Sequence, residues 1–200
     1  MTTLVDLDPE HISSYSLTVE EKTQLFKLVN SGKVVMPSEL MDINMYTYTL
    51  EFLKNKKYIQ YEVSNHSKSG YRCKHNMHYW KNEPYLSFGP SAHSYDLKTR
   101  WWNIDNLNLY TQAINNNELP MKNKEDLTNK DYFNELIFNG LRMQDGVDVK
   151  KLAKYYNKPI KDYIKSNTDK WTGLNYENGF FFLDDSARLL ADEIASDLFI

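Results

Sequence analysis

Hydrophobic positions change rhythm several times along the chain, and each change predicts an element. His11 to Val19 is rich in β-formers, and Ile12, Tyr15, Leu17 and Val19 break strict alternation, which predicts a strand buried on both faces. Gln24 to Asn30 reads as a short helix closed by Ser31-Gly32. After Pro37-Ser38, the residues Leu40, Ile43, Met45, Tyr46, Leu50 and Leu53 recur near helical spacing, and the helix they predict ends around Asn55. Tyr58 to Ser64 is the next predicted strand. Strand, helix, helix, strand is the order of a β/α crossover in a parallel sheet. A strand at His11 wants neighbours on each side, and the few residues before it cannot supply them.

Beyond a loop at Asn65 to Gly70, Tyr85 to Phe88 predicts a short strand punctuated by Gly89-Pro90, and Arg100-Trp101-Trp102-Asn103 a further one. From Asn106 the pattern turns helical, with Leu107, Tyr110, Ile114 and Leu119 on one side. Pro120 to Thr128 is charged and poor in apolar residues, so it predicts a connection near a domain boundary. Thr128 to Asp131 then caps a helix whose face is Phe133, Leu136, Ile137, Leu141 and Met143. Asp148 caps Val149 to Tyr156, and Pro159 opens a helix to about Asn167. Asn178-Gly179 between two β-rich runs predicts a hairpin with a type I′ turn, and Asp185 to Arg188 starts a last helix. Helices, a hairpin and a helix make a winged-helix-like module.

Composition narrows the classes. A hydrophobic content of 41% over 200 residues is enough for a buried core, which makes disorder of the bulk of the chain unexpected. The formal charge of −3, with Lys and Arg scattered, argues against a dedicated nucleic-acid or anionic-membrane surface. With no apolar run long enough to span a bilayer and no basic-then-apolar leader, a soluble cytoplasmic protein is expected. The only cysteine, Cys73, cannot form an internal disulfide and cannot hold an iron–sulfur cluster, which needs three or four thiolates.

Candidate chemistry gathers in Cys73-Lys74-His75-Asn76-Met77-His78-Tyr79-Trp80 and in the following run Tyr85 to Tyr95. Tyr79, Trp80 and Phe88 offer stacking surface for a flat ligand, and a neutral imidazole can coordinate iron or zinc. The plainer reading makes the aromatics core and the histidines donors to nearby carbonyls. Zinc held by His66, His75, His78 and His93 lacks a carboxylate at metalloprotease spacing, and the aromatic surroundings argue against a regular helix that would align His75 with His78. A Cys73 or serine nucleophile lacks a Gly-rich elbow and an orienting acid. DNA binding through Lys150, Lys151 and Lys154 competes with an ordinary solvated face on an acidic chain, and no nucleic-acid partner is expected.

Four stretches in order carry a resemblance: Asp8-Pro9-Glu10-His11-Ile12-Ser13, Gln60 to Asn65, His75-Asn76-Met77-His78-Tyr79-Trp80, and Phe88 to Tyr95. Together they are similar to the successive motifs of HemW-type proteins, the oxygen-independent coproporphyrinogen III oxidase-like branch of the radical S-adenosylmethionine family, whose signature is H-N-x-x-Y-W. The resemblance implies an α/β (α+β) fold: the last strands and helices of an incomplete β/α barrel at residues 1–105, then a mainly helical C-terminal domain with its hairpin at 106–200. It also implies a cytoplasmic haem chaperone that delivers haem to respiratory haem proteins, touching membranes only through those recipients.

Haem would be coordinated by His75, the one metal-ligating residue, with Tyr79 and Trp80 shaping the pocket. Asn76 would orient the imidazole or form a turn, and Thr18 would touch the S-adenosylmethionine pocket. The 4Fe-4S motif CxxxCxxC and the glycine-rich cofactor segment of the family are not in these residues. That predicts an expressed fragment or truncated product, inactive in radical chemistry by itself. His66 and Ser87 replace the branch's usual aromatic and glycine. A coproporphyrinogen oxidase parent, or a scaffold that binds a partner or itself through an exposed sheet edge, are the alternatives.

Overall fold

The computed structural model describes residues 1–200, which divide into two compact units, Met1–Cys73 and Lys74–Ile200. Unit 1 holds α1 (Thr2–Asp6), β1 (His11–Ser13), α2 (Gln24–Asn30), α3 (Glu39–Asn55), β2 (Ile59–Glu62) and β3 (Asn65–Ser67). Unit 2 holds α4 (Lys74–Trp80), β4 (His93–Tyr95), β5 (Thr99–Asn103), α5 (Leu107–Asn115), β6 (Met121–Asp126), α6 (Asn129–Arg142), β7 (Val147–Asp148), α7 (Val149–Leu152), α8 (Ile160–Lys170), β8 (Leu174–Glu177), β9 (Phe180–Leu183), a 3-10 turn at Arg188–Leu190 and α9 (Ala191–Asp197). This mixture of helices and small sheets is an α/β fold in the broad sense expected.

In unit 1 the sheet order is β1-β3-β2, with β3 antiparallel to both neighbours. The direct parallel crossover read from the sequence is therefore corrected. β1 and β2 do run the same way, but the chain turns tightly after Glu62 and inserts β3 between them, with Ile12 opposite His66 and Gln60 opposite the same residue. Ile12, Leu53 and Tyr58 form the core, with Val5 and Phe52 against it. The Tyr58 hydroxyl donates to the carbonyl of Pro9 at 2.5 Å, so the one aromatic both fills space and ties the chain before β1. The strand predicted to run to Val19 ends at Ser13; one more backbone bond follows, from the Ser14 N–H to the Ser64 carbonyl at 2.8 Å, and the chain then leaves the sheet, with Tyr15 70% and Leu17 67% exposed.

Helix α3 starts and stops where the sequence placed it, with the Ser38 hydroxyl accepting from the Met41 N–H. Of its apolar stripe only Leu53 is buried.

Unit 2 is built on α6. The Thr128 hydroxyl accepts from the Asp131 N–H and the Asp131 carboxylate accepts from the Thr128 N–H, a reciprocal cap that fixes the helix start. Phe133, Ile137 and Leu141 then line one face and pack with Leu152, Phe181, Leu183, Ile194 and Leu198, all fully buried. Burial of each such side chain stabilises the fold by about 1.5–3 kcal/mol. Gly140 lets α6 approach β7, since a Cβ there would sit 2.4 Å from a Val147 methyl. The hairpin β8–β9 forms as read, with Asn178 at φ 51° and Gly179 at φ 87° in the turn. Its strand β9 also pairs with β7, giving the order β7-β9-β8 and the wing beside the helices.

One reading of this half is corrected. The charged connection near 120–128 is strand β6, which pairs antiparallel with β5 from Thr99 opposite Asp126 to Asn103 opposite Met121. Its residues are all exposed, so alternation never marked it; pairing with β5 makes it a strand, with Thr99–Asp126 and Arg100–Glu125 side-chain contacts across the pair. The same pairing ties residues before 105 to β6 within the second compact unit, Lys74–Ile200.

Candidate functional site

The segment richest in chemistry is helix α4, Lys74–Trp80, although its aromatic surroundings argued against a regular helix. Its seven residues hold no proline, and the buried Met77 anchors them to the unit while Lys74, His75 and Tyr79 are exposed. His75 is exposed and meets Tyr79, one turn on, edge to face, with centroids 4.9 Å apart and planes at 86°. Tyr79 in turn meets Tyr85 at 4.7 Å, and Tyr85 meets Tyr95 at 5.9 Å. Mutual N–H to carbonyl hydrogen bonds of 2.8 Å between Tyr85 and Tyr95 hold this aromatic row against the β4 end. Only that isolated bridge forms where a strand over Tyr85 to Phe88 was read. The row adds Tyr85 and Tyr95 to the residues proposed from the motif; they stood in the named aromatic run, but only the bridge puts them beside α4.

The two histidines of α4 differ in what they hold. His78 faces acceptors at both ring nitrogens, Nδ1 at 2.7 Å from a Glu83 carboxylate oxygen and Nε2 at 2.7 Å from the Pro84 carbonyl. It clamps the turn that ends the helix. His75 is exposed, meets Tyr79 through its ring, and has no hydrogen bond at its ring nitrogens. No group of three or more His, Cys, Asp or Glu side chains is placed to hold a metal ion, and His93 lies stacked on Trp102 at 5.5 Å. An exposed lone imidazole offers one ligand nitrogen, whereas a zinc tetrahedron or an iron–sulfur cluster asks for three or four donors together.

Trp80 does more than wall a pocket. The Arg142 guanidinium stacks on its ring at 5.3 Å and on Phe138 at 5.4 Å, and it is ion-paired with Asp192 of α9. The indole N–H is buried without an acceptor. Asn82, just past the helix, accepts a hydrogen bond from Asn139 of α6. Asn76 is half-buried on α4.

The loop after Tyr85 is held firmly. The Ser87 N–H donates to the Ser94 hydroxyl at 3.0 Å, the Gly89 N–H to the Tyr110 hydroxyl at 3.0 Å, and the Asn103 amide to the Gly89 carbonyl at 3.0 Å. Between those anchors Phe88 is 86% exposed. The Ser87 hydroxyl donates to the His93 carbonyl, a use that a glycine there would not have.

Thr18 lies elsewhere, in unit 1, exposed on the irregular segment after β1. Beside it in sequence, Leu17 helps line a cavity of about 490 Å³ with Tyr15, Met36, Met45, Tyr46 and His66. From the apolar stripe of α3, Met45, Tyr46 and Leu50 line this cavity, whereas Leu40 and Ile43 are exposed away from it. His66, placed on β3, is buried here. The structure thus brings together His75, Asn76, Tyr79 and Trp80 on one helix and leaves Thr18 in the other unit.

Comparison with known proteins places these features in a class. The fold is similar to that of coproporphyrinogen III oxidase HemN from Escherichia coli, a radical SAM enzyme, with a TM-score of 0.71 and 14% identity over 98% of this chain and 49% of that one. Residues 127–190 match the HemN C-terminal domain. In sequence, the chain is 32% identical over 198 residues to heme chaperone HemW of Bacillus subtilis, covering 97% of the chain and 52% of the relative. The HemW proteins of Mycobacterium tuberculosis and Lactococcus lactis match at 28% and 34% identity over 94% and 76% of the chain, and 47% and 40% of their own lengths. The chain spans about half the length of the curated relatives it matches. It corresponds to the C-terminal portion of a HemW-type protein.

Proposed function

We propose that this chain is the part of a haem chaperone that holds haem through His75, for transfer to respiratory haem proteins. The reading rests on one contrast within α4: the His78 nitrogens are both engaged, while those of His75 are open beside the Tyr79 ring. An imidazole with a free nitrogen, set against an aromatic edge and exposed, is what an exchangeable axial ligand needs, since cargo has to leave as well as bind. Haem here is cargo. Tyr79 would limit rotation of the imidazole, Asn76 would present its amide to the bound group, and Trp80 would fix the end of the helix. The HemW name of the relatives supports the ligand class.

In the longer parent, a 4Fe-4S cluster and S-adenosylmethionine belong to the same reading, with Thr18 beside the cofactor pocket. The single cysteine of these residues cannot hold that cluster, and no radical step is assigned to them. A cytoplasmic setting accords with a lone free thiol at Cys73. No helix is long and apolar enough to cross a membrane.

The test is a titration of the chain with haem, followed by absorption in the Soret region, beside His75→Ala. Loss of at least tenfold in affinity, with a changed Soret position, supports the assignment. Equal affinity and an unchanged spectrum would remove His75 as the ligand.

A further inference from the structure

The overall charge hides a local excess. Residues 150–161 hold Lys150, Lys151, Lys154, Lys158 and Lys161 and no acidic side chain, in a chain where acids outnumber bases by 27 to 24. All five lysines are exposed, and none is in an ion pair, whereas Lys165 and Lys170 just beyond are held by Asp169 and Asp197. The acids that flank the stretch are Asp148, whose carboxylate is spent accepting the Lys150 N–H at 2.8 Å, and Asp162. The lysines ride on α7, the corner after it and the first turn of α8. That frame is fixed from beneath by the buried Val149, Leu152, Tyr163 and Ile164.

What such a surface meets is decided by what it lacks. It has no arginine, the side chain suited to bidentate grip on a particular phosphate or base. Helix α7 spans four residues, too short to lie along a major groove as the longer predicted helix would. Tyr155 and Tyr156, which would stack bases, are occupied against Tyr132 at 5.0 Å and Phe133 at 5.2 Å. No large hydrophobic in the stretch is exposed to anchor a protein interface, and lysine is depleted in such interfaces. A row of exposed, unpaired point charges without an apolar anchor suits a diffuse negative surface.

We propose that Lys150 to Lys161 form a docking face for an anionic lipid headgroup surface, binding it reversibly and by charge alone. The proposal does not depend on haem binding and departs from the expectation that membranes are met only through recipients. Having a single electrostatic signal and no inserted side chain, the contact forms and releases readily.

The experiment is co-sedimentation of the full chain with vesicles of phosphatidylglycerol and phosphatidylcholine, or of phosphatidylcholine alone, at low and at high salt. Binding is expected only to the anionic vesicles and only at low salt. Replacing the five lysines with glutamine (Lys150→Gln, Lys151→Gln, Lys154→Gln, Lys158→Gln, Lys161→Gln) is expected to weaken it at least tenfold. The same number of neutralisations at Lys27, Lys33, Lys98, Lys124 and Lys130 is expected to leave it within about twofold. Circular dichroism checks that both variants fold. Failure to bind anionic vesicles, equal binding by both variants, or tighter binding to duplex DNA than to the vesicles would each overturn the proposal.

Discussion

The guanidinium of Arg142 lies 5.3 Å from the centre of the Trp80 ring, so the last aromatic of the α4 motif is fastened to the end of α6. Phe138 takes the same cation at 5.4 Å, and Asp192 pairs with it from α9. One side chain thereby joins the helix that carries His75 to the helical core. Arg142→Ala is expected to destabilise unit 2 by about 1–2 kcal/mol, mostly through the lost stacking, since Asp192 is largely exposed and rehydrates. Arg142→Lys keeps the charge but not the planar face and should recover less than half of that loss, read from urea unfolding.

The roles of the two α4 histidines are separable. His78→Ala removes the bonds to Glu83 and Pro84 and should lower stability by about 1 kcal/mol while leaving the Soret position of the haem-loaded chain unchanged. Together with His75→Ala this gives a crossed pattern in two measurements, spectrum and melting. A shifted Soret band in the His78 variant would place that residue, not His75, at the iron.

Two glycines are needed for different reasons, and alanine should reveal the difference. Gly140→Ala drives a Cβ to 2.4 Å from a Val147 methyl and should cost about 1–3 kcal/mol. The cost should shrink when Val147→Ala is also present, although the Val147 Cα at 3.2 Å limits the relief. Gly179→Ala meets no atom within 4 Å but has to hold φ 87°, so about 1 kcal/mol is expected there and Val147→Ala should not change it.

Unit 1 should be sensitive to mild acid. Partial burial holds the His11 imidazole below its usual pKa range, and Nε2 sits 2.8 Å from the Tyr61 hydroxyl. Folded His11 resists the proton that the unfolded chain accepts. Its share of stability is therefore complete above the unfolded value of about 6.5 and is lost as pH falls through that value toward the folded one. Thermal melts of His11→Gln between about pH 5 and 8 should show a flatter pH dependence than the unaltered chain; an unchanged slope would assign the effect to another group.

What the sequence alone determined is local. The capped starts of α3 and α6 and the Asn178-Gly179 turn follow from residues that satisfy or shape the backbone beside them, so neighbours in sequence were enough to read them. The motif around His75 was likewise legible, because its residue types stand side by side. Pairings between distant residues were not. β6 is a strand only because β5 offers it partners, and its exposed charged side chains carry no period to betray that. The insertion of β3 between β1 and β2 placed His66 opposite both Ile12 and Gln60 and buried it beside an open cavity. Tertiary structure also decided which histidine is free: Glu83 and the Pro84 carbonyl close on His78 when the chain turns after Trp80, and nothing closes on His75. Composition averaged the lysines of 150–161 into a balanced whole; their run is legible in the sequence, and the fold decided that all five stay exposed and outside ion pairs.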